Sequence, residues 1–248
     1  MTNKKDDLFQ RDTAPSAGHK GGFEFNREVA DVFADMINRS VPGYAQIVEL
    51  IPSLIRCYGR TPGHYYDLGC SLGAGMLAMA SAADSQRRII GVDNSAAMIE
   101  AAKPAIDEAA AQSGLDLQLE CADLLDYQLQ NAAVVLMNFT LQFIQPDERD
   151  ALLERICSAT VPTGVLILSE KISSPDPQVD QALIDLHHQF KADQGYSQLE
   201  ISRKRDAIEN VLIPESLAHH EHRLKQAGYR IVTPWIQNLQ FVSLLAIK

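Results

Sequence analysis

The chain has 248 residues, 46% of them hydrophobic and 22% charged, enough apolar side chain for one sizeable core and too much for a disordered chain. A formal net charge of −10 argues against direct binding to nucleic acid, which runs on clustered Lys and Arg, so a small-molecule partner is expected. The polar opening MTNKKDDLFQRDTAPSAGHKGG lacks the apolar segment of a secretory signal, and no run of about 18 apolar residues exists to span a membrane. A cytoplasmic protein is expected, with Cys57, Cys70, Cys121 and Cys157 as reduced thiols, because their spacings match no zinc or CxxC pattern.

Residues 1–22 read as a mobile N-terminal segment ahead of one domain over 23–248. The domain opens with a helical cap, 23–60. Val29, Val32, Phe33, Met36 and Ile37 form a helical stripe, Ser40-Val41-Pro42-Gly43 breaks it, and a second helix runs from about Tyr44 to Tyr58. From residue 64 strands and helices alternate. HYYDLG is a strand, AGMLAMASAAD a helix, and RRIIGVD a strand. SAAMIEAAKPAIDEAAAQSG is a helix capped by Ser95, with a kink or restart expected at Pro104. LQLECADL and AAVVLMNF are further strands, the second apolar almost throughout, as burial on both faces requires. Pro146, Asp147 and Glu148 open a helix, followed by the strand GVLILSEKI. A polar helical insertion, 174–210, interrupts the rhythm. PESLAHHEHRLKQAGY returns to helix and stops at Gly228, and YRIVTPWIQ and LQFVSLLAIK close the chain as an antiparallel hairpin. Strands joined by crossover helices make a mostly parallel, seven-stranded, doubly wound sheet. With the terminal hairpin, this is a Rossmann-like α/β fold of the class I S-adenosylmethionine (SAM) enzymes.

The chemistry-bearing residues fall at the carboxyl ends of the predicted strands, where such sheets bind ligands. Asp67-Leu68-Gly69-Cys70-Ser71-Leu72-Gly73 stands between a strand and a helix, and its glycines permit a sharp turn and close backbone approach. Asp93 lies 24 residues beyond Gly69, a spacing at which an acid accepts from ribose hydroxyls and repels a 2′-phosphate. Asp123, after the third strand, is placed to accept from an adenine amino group. Asn138, ending the fourth strand, holds either a ligand or a loop.

The strings DLGCSLGAG, VDNSAAMIE, LMNFTLQFI, SEKIS, GYSQLEIS and RKRDAIENV, with SVPGY ahead of them, occur in an order that closely resembles the carboxy-S-adenosyl-L-methionine synthases. The resemblance runs from about Phe23 to the C-terminus. It implies that Gly69, Cys70 and Ser71 hold the methionine end of SAM, Asp93 and Asn94 the ribose, and Asp123 and Leu124 the adenine. Asn138 then lies near the sulfonium and Tyr44 closes over the pocket. It implies that Arg205 binds the extra carboxylate of carboxy-SAM, a role suited to a planar guanidinium fork, although Arg203 and Lys204 compete for it on sequence alone. The implied reaction takes prephenate to phenylpyruvate and carbon dioxide, which a deprotonated SAM methyl captures. The implied assembly is a homodimer, and the implied destination of carboxy-SAM is uridine-5-oxyacetic acid at the tRNA wobble position, built by a separate enzyme.

Other readings carry less. His219 and His222 are i, i+3 neighbours, but no ligand set completes a metal site around them. Cys70 could be a nucleophile, but its loop position favours backbone contact and packing. A methyltransferase on the same scaffold, or a SAM-binding module without turnover, would need neither Arg205 nor the insertion.

Overall fold

The computed structural model describes residues 5–8, 25–208 and 211–248. Two helices lead, α1 (Arg27–Ser40) and α2 (Tyr44–Tyr58). The alternating body follows: β1 (His64–Leu68), α3 (Ala74–Ala80), β2 (Arg88–Asp93), α4 (Ala96–Ser113), β3 (Asp116–Cys121), β4 (Ala132–Asn138), α5 (Pro146–Ala159) and β5 (Thr160–Ser173). The insertion is α6 (Pro177–Asp193) and α7 (Gln198–Ile208). Then come the two-residue β6 (Glu215–Ser216), α8 (Leu217–Gln226), β7 (Ile231–Asn238) and β8 (Phe241–Ile247).

The main sheet runs β3-β2-β1-β4-β5-β8-β7. All pairs up to β5 are parallel, and β8 is antiparallel to both β5 and β7. The expected seven strands and terminal hairpin are present, and β6 adds a short parallel bridge to β5 off that path. The period-2 geometry of a strand sends successive side chains to opposite faces. Tyr65, Val134, Leu136 and Ile167 therefore pack on one face with Ile51, Met76 and Ile106 from α2, α3 and α4. Tyr66, Val135, Met137 and Leu168 pack on the other with Leu152, Ile156 and Leu224 from α5 and α8. Every residue of β4 from Ala132 to Met137 is buried, the outcome its apolar run predicts.

The helix ends follow local chemistry. The Ser95 hydroxyl accepts from Met98 N at 3.2 Å, and Pro146 starts α5 with Asp147 and Glu148 in its first turn. Of the kink or restart expected at Pro104, the restart is absent: α4 is continuous from Ala96 to Ser113 with Pro104 inside it. Pro104 lies on the exposed side of α4, where a carbonyl that loses its helical donor costs less than it would in the core. The expected mobile segment 1–22 falls mostly outside the described residues. Residues 5–8 within it are packed rather than mobile, with Asp6 at 0% exposure and Leu8 set among Val29, Val32, Met36 and Met98.

Candidate functional site

The strand order reverses between β1 and β4, and a crevice opens at their carboxyl ends. A cavity of about 490 Å³ occupies it. The cavity is lined by Gly69, Cys70, Ser71, Asp93, Asn94, Asp123, Leu124 and Asn138 from the sheet, and by Tyr44 from the cap. Every site residue predicted from sequence lines it except Arg205.

The glycine loop is shaped by backbone demands. Gly69 has φ +77°, where an L side chain is strained, and a Cβ there would collide with the Thr140 side chain. Ser71 takes φ +47° without being glycine, and its N–H donates to Asp93 Oδ2 at 2.9 Å. Asp93 Oδ1 accepts from Ser95 N at 2.9 Å, so one carboxylate ties the loop after β1 to the start of α4. A carboxylate has about four acceptor sites, and two backbone donors leave room for ribose hydroxyls. Burial raises the Asp93 pKa, and the Ser95 and Ser71 N–H groups pull it back. Asp123, at the exposed rim, accepts from Leu125 N at 2.9 Å.

Asp67, the acid ahead of the glycine loop, also lines the cavity, beyond the residues to which the sequence assigned a ligand contact. It is 2% exposed, its buried Oδ2 has no hydrogen-bond partner among the described residues, and burial raises its pKa to about 7 against the pull of the Met76 N–H. Its signal was the acid directly before the glycine loop. Asn138 Oδ1 is likewise buried and unpartnered at the end of β4, where Phe139 takes φ +62°. Tyr44 stacks near Phe139 at 6.3 Å between ring centroids, and burial, then the Asp67 charge, push its hydroxyl pKa up. Burial also raises the Cys70 thiol, with Asp67 and Asp93 adding to it, so Cys70 is a packed backbone contact and a poor nucleophile.

Arg205 stands apart. Its side chain is 56% exposed and pairs with Asp206 at 3.1 Å, outside the cavity of its own chain. The reason is helical phase: Lys204, one residue earlier on α7, takes the inward direction and is 4% exposed. Lys204 Nζ donates to Ser40 Oγ at 2.7 Å, to Tyr196 OH at 3.2 Å and to Asp6 Oδ2 at 3.3 Å, and it lines the cavity together with Ser40.

A family model described as a methyltransferase domain matches residues 66–164. A carboxy-S-adenosyl-L-methionine synthase from Hahella chejuensis is 45% identical over 254 residues, covering 100% of both chains. Those from Shewanella amazonensis and Aliivibrio fischeri are each 46% identical, covering 100% and 92% of this chain and 100% and 94% of theirs. The chain belongs to the carboxy-S-adenosyl-L-methionine synthase family. Among solved structures it resembles magnesium protoporphyrin IX methyltransferase from Synechocystis with bound SAH (TM-score 0.60, 16% identity, 86% of this chain, 87% of that one). It also resembles human N-acetylserotonin methyltransferase in complex with SAM (TM-score 0.59, 15% identity, 90% and 55%). At those identities the likeness concerns the fold, that of the class I SAM methyltransferases. The cap and the insertion lie outside residues 66–164 and bring Tyr44, Ser40 and Lys204 to the cavity.

Among the described residues no helix is long and apolar enough to cross a membrane.

Proposed function

We propose that this protein makes carboxy-SAM from SAM and prephenate, releasing phenylpyruvate. The observation that carries the reading is that the match to carboxy-S-adenosyl-L-methionine synthases spans the whole chain, cap and insertion included, whereas the methyltransferase model covers only 66–164. The residues present fit SAM. Its amino group and sulfonium are cationic, and the unpartnered Asp67 Oδ2 and Asn138 Oδ1 stand as buried acceptors with the Asp93 carboxylate nearby. A buried acceptor left unpaired costs free energy that a bound donor recovers.

In this reading Gly69, Cys70 and Ser71 hold the methionine end, Asp93 and Asn94 the ribose, and Asp123 and Leu124 the adenine edge. Asn138 faces the sulfonium side and Tyr44 closes the site over it. SAM supplies the methyl carbon that is carboxylated. The bond from the prephenate ring to its carboxylate breaks, the departing hydroxyl leaves as water with a methyl proton, and the released carboxyl carbon joins the methyl carbon. No protein base is required, and the protein's work is proximity and exclusion of water. Because Lys204 takes the inward position in this chain, Arg205 meets the product carboxylate from the surface of a second copy, which makes the homodimer part of the site. The product then serves wobble-uridine modification by another, tRNA-binding enzyme, in keeping with the −10 charge here.

The test is mass spectrometry of small molecules released on denaturing the purified protein, with and without prephenate. A species heavier than SAM by one carboxyl group, rising with prephenate alongside phenylpyruvate, supports the reading. SAM or SAH alone under both conditions, with a methylated acceptor formed instead, replaces it with methyl transfer.

A further inference from the structure

The insertion gathers cations behind the Ser40 and Lys204 end of the cavity, and only some of them are paired with an acid among the described residues. Lys204 from α7 is balanced by Asp6 at 3.3 Å. Its neighbour Lys191, on α6, is only 9% exposed and, among the described residues, has no carboxylate within 4.0 Å and no side-chain hydrogen bond. Lys171, at the end of β5, is half-buried and equally lacks a bonded acid. Lys171 feels Asp180 from α6 at longer range and pairs in register with Phe241, which packs on His187 one helical turn before Lys191, and Lys191 feels the charges of Lys204 and Lys171. His187 and His188 complete the group on α6, with Arg205 reaching His188 from α7.

Ser40 and Lys204 line the cavity and join the cluster to it, while Lys191 and Lys171 stand behind them. His187 Nε2 bonds the Ser40 carbonyl at 2.7 Å, Lys204 bonds the Ser40 hydroxyl at 2.7 Å, and Ser40 lines the cavity. Phe241 lies against His187 at 4.9 Å between ring centroids, and Phe139 and Tyr44 continue the aromatic wall toward Asn138.

In a chain carrying 32 acidic residues, two poorly solvated ammonium groups left without a bonded carboxylate are an exception that needs a cause. Burying an uncompensated charge is costly, and an anion that enters beside it relieves the cost. We infer that Lys191 and Lys171 form a carboxylate subsite that holds the retained 2-oxo-acid carboxylate of the carboxyl donor, while the carboxylate to be transferred lies toward Asn138. The inference rests on the carboxy-SAM reading for the identity of the donor. The physical claim is the narrower one, that an organic carboxylate binds these two lysines. The repulsion within the cluster agrees with it. Burial, then Lys204 and Lys171, lowers the Lys191 pKa to about 7, and an anion between them would raise it. His187 does not compete for the anion, because burial and the adjacent lysines keep it neutral, with a pKa of about 3.

The experiment is calorimetric titration of the full chain, saturated with SAH, with prephenate, phenylpyruvate and inorganic phosphate as separate probes. Wild type is compared with Lys191→Met, Lys171→Met and Lys191→Arg. Expected are at least tenfold weaker binding of both organic acids in each methionine variant, SAH affinity within twofold of wild type, and near-wild-type acid binding in Lys191→Arg. Without ligand, Lys191→Met is expected to melt no lower than wild type, since it removes an unpaired buried charge. A role in folding alone predicts the reverse. Unchanged acid binding in the methionine variants, failure of wild type to bind either acid, or preference for phosphate over both acids overturns the subsite. Failure of the carboxy-SAM reading is recognised separately: acids that bind through Lys191 while no carboxylated product forms leave the subsite standing and remove its assigned reaction.

Discussion

The Asp93 carboxylate holds the Ser71 backbone N–H at 2.9 Å, fastening the end of β2 to the glycine loop that follows β1. One side chain therefore shapes the loop and keeps acceptor capacity facing the cavity, the capacity proposed above for the ribose. Asp93→Ala is expected to weaken SAM, SAH and carboxy-SAM alike, by about 2–3 kcal/mol, the range for a hydrogen-bonded charged group. Calorimetry with each ligand checks this, and an unchanged SAH affinity would remove Asp93 from the ribose contact.

Gly69 tests the loop by sterics. Gly69→Ala meets both the φ of +77° and the Thr140 side chain, and is expected to cost about 1–3 kcal/mol in thermal or denaturant unfolding, with SAM affinity falling in parallel. Adding Thr140→Ala removes the two nearest atoms, Oγ1 and Cγ2, and leaves the Thr140 Cβ at 2.9 Å and the backbone strain, so the double variant should recover only part of the loss. Full recovery would show that crowding alone required glycine.

Arg205 and Lys204 separate by ligand. Arg205→Ala is expected to lose about 2–5 kcal/mol of carboxy-SAM binding and to keep SAH, since truncation leaves a carboxylate unpaired. The solvent-facing pair with Asp206 contributes little to folding, so the melting temperature should not move. Equal loss of SAH would count against a carboxylate contact.

Asp6 joins the N-terminus to the site. Tyr196 OH donates to Asp6 Oδ2 at 2.5 Å and Lys204 Nζ at 3.3 Å, all three side chains buried. Asp6→Ala leaves the Lys204 ammonium without its carboxylate and is expected to destabilise by about 3 kcal/mol, the scale for breaking a buried pair. Combining it with Lys204→Met should return part of that stability, which a double-mutant cycle measures directly.

Glu215 gives a pH dependence with a definite sign. Arg149 and Arg223 each donate to its Oε2 at 2.5 Å, with Arg149 at 0% and Arg223 at 5% side-chain exposure. Burial alone would raise the Glu215 pKa, but the Arg223 and Arg149 hydrogen bonds outweigh it and bring it to about 2, below the ordinary 4.5. The unfolded chain therefore binds the proton first as pH falls. The stabilisation is complete above about 4.5 and is lost as pH drops through about 2. Glu215→Gln should flatten the stability profile across that window. A slope unchanged from wild type would assign acid unfolding to other carboxylates.

The sheet, its crossover helices and the ligand-bearing strand ends were legible along the chain, because each is written in local periodicity. β4 reads as an unbroken apolar run, Ser95 and Pro146 mark helix starts, and Asp93 and Asn138 fall where strands stop. Neighbours far apart in the chain were not legible. Asp6 meets Lys204 across 198 positions, and Arg149 meets Glu215 across 66, with no local pattern linking either pair. The choice between Lys204 and Arg205 lay beyond sequence for the same reason. A helix turns about 100° per residue, and which of two adjacent cations faces inward depends on how α7 seats against α1 and α6. Local sequence thus determined the fold and most of the strand-end positions that line the cavity, while tertiary packing decided which charges are buried, which are paired, and which face the cavity.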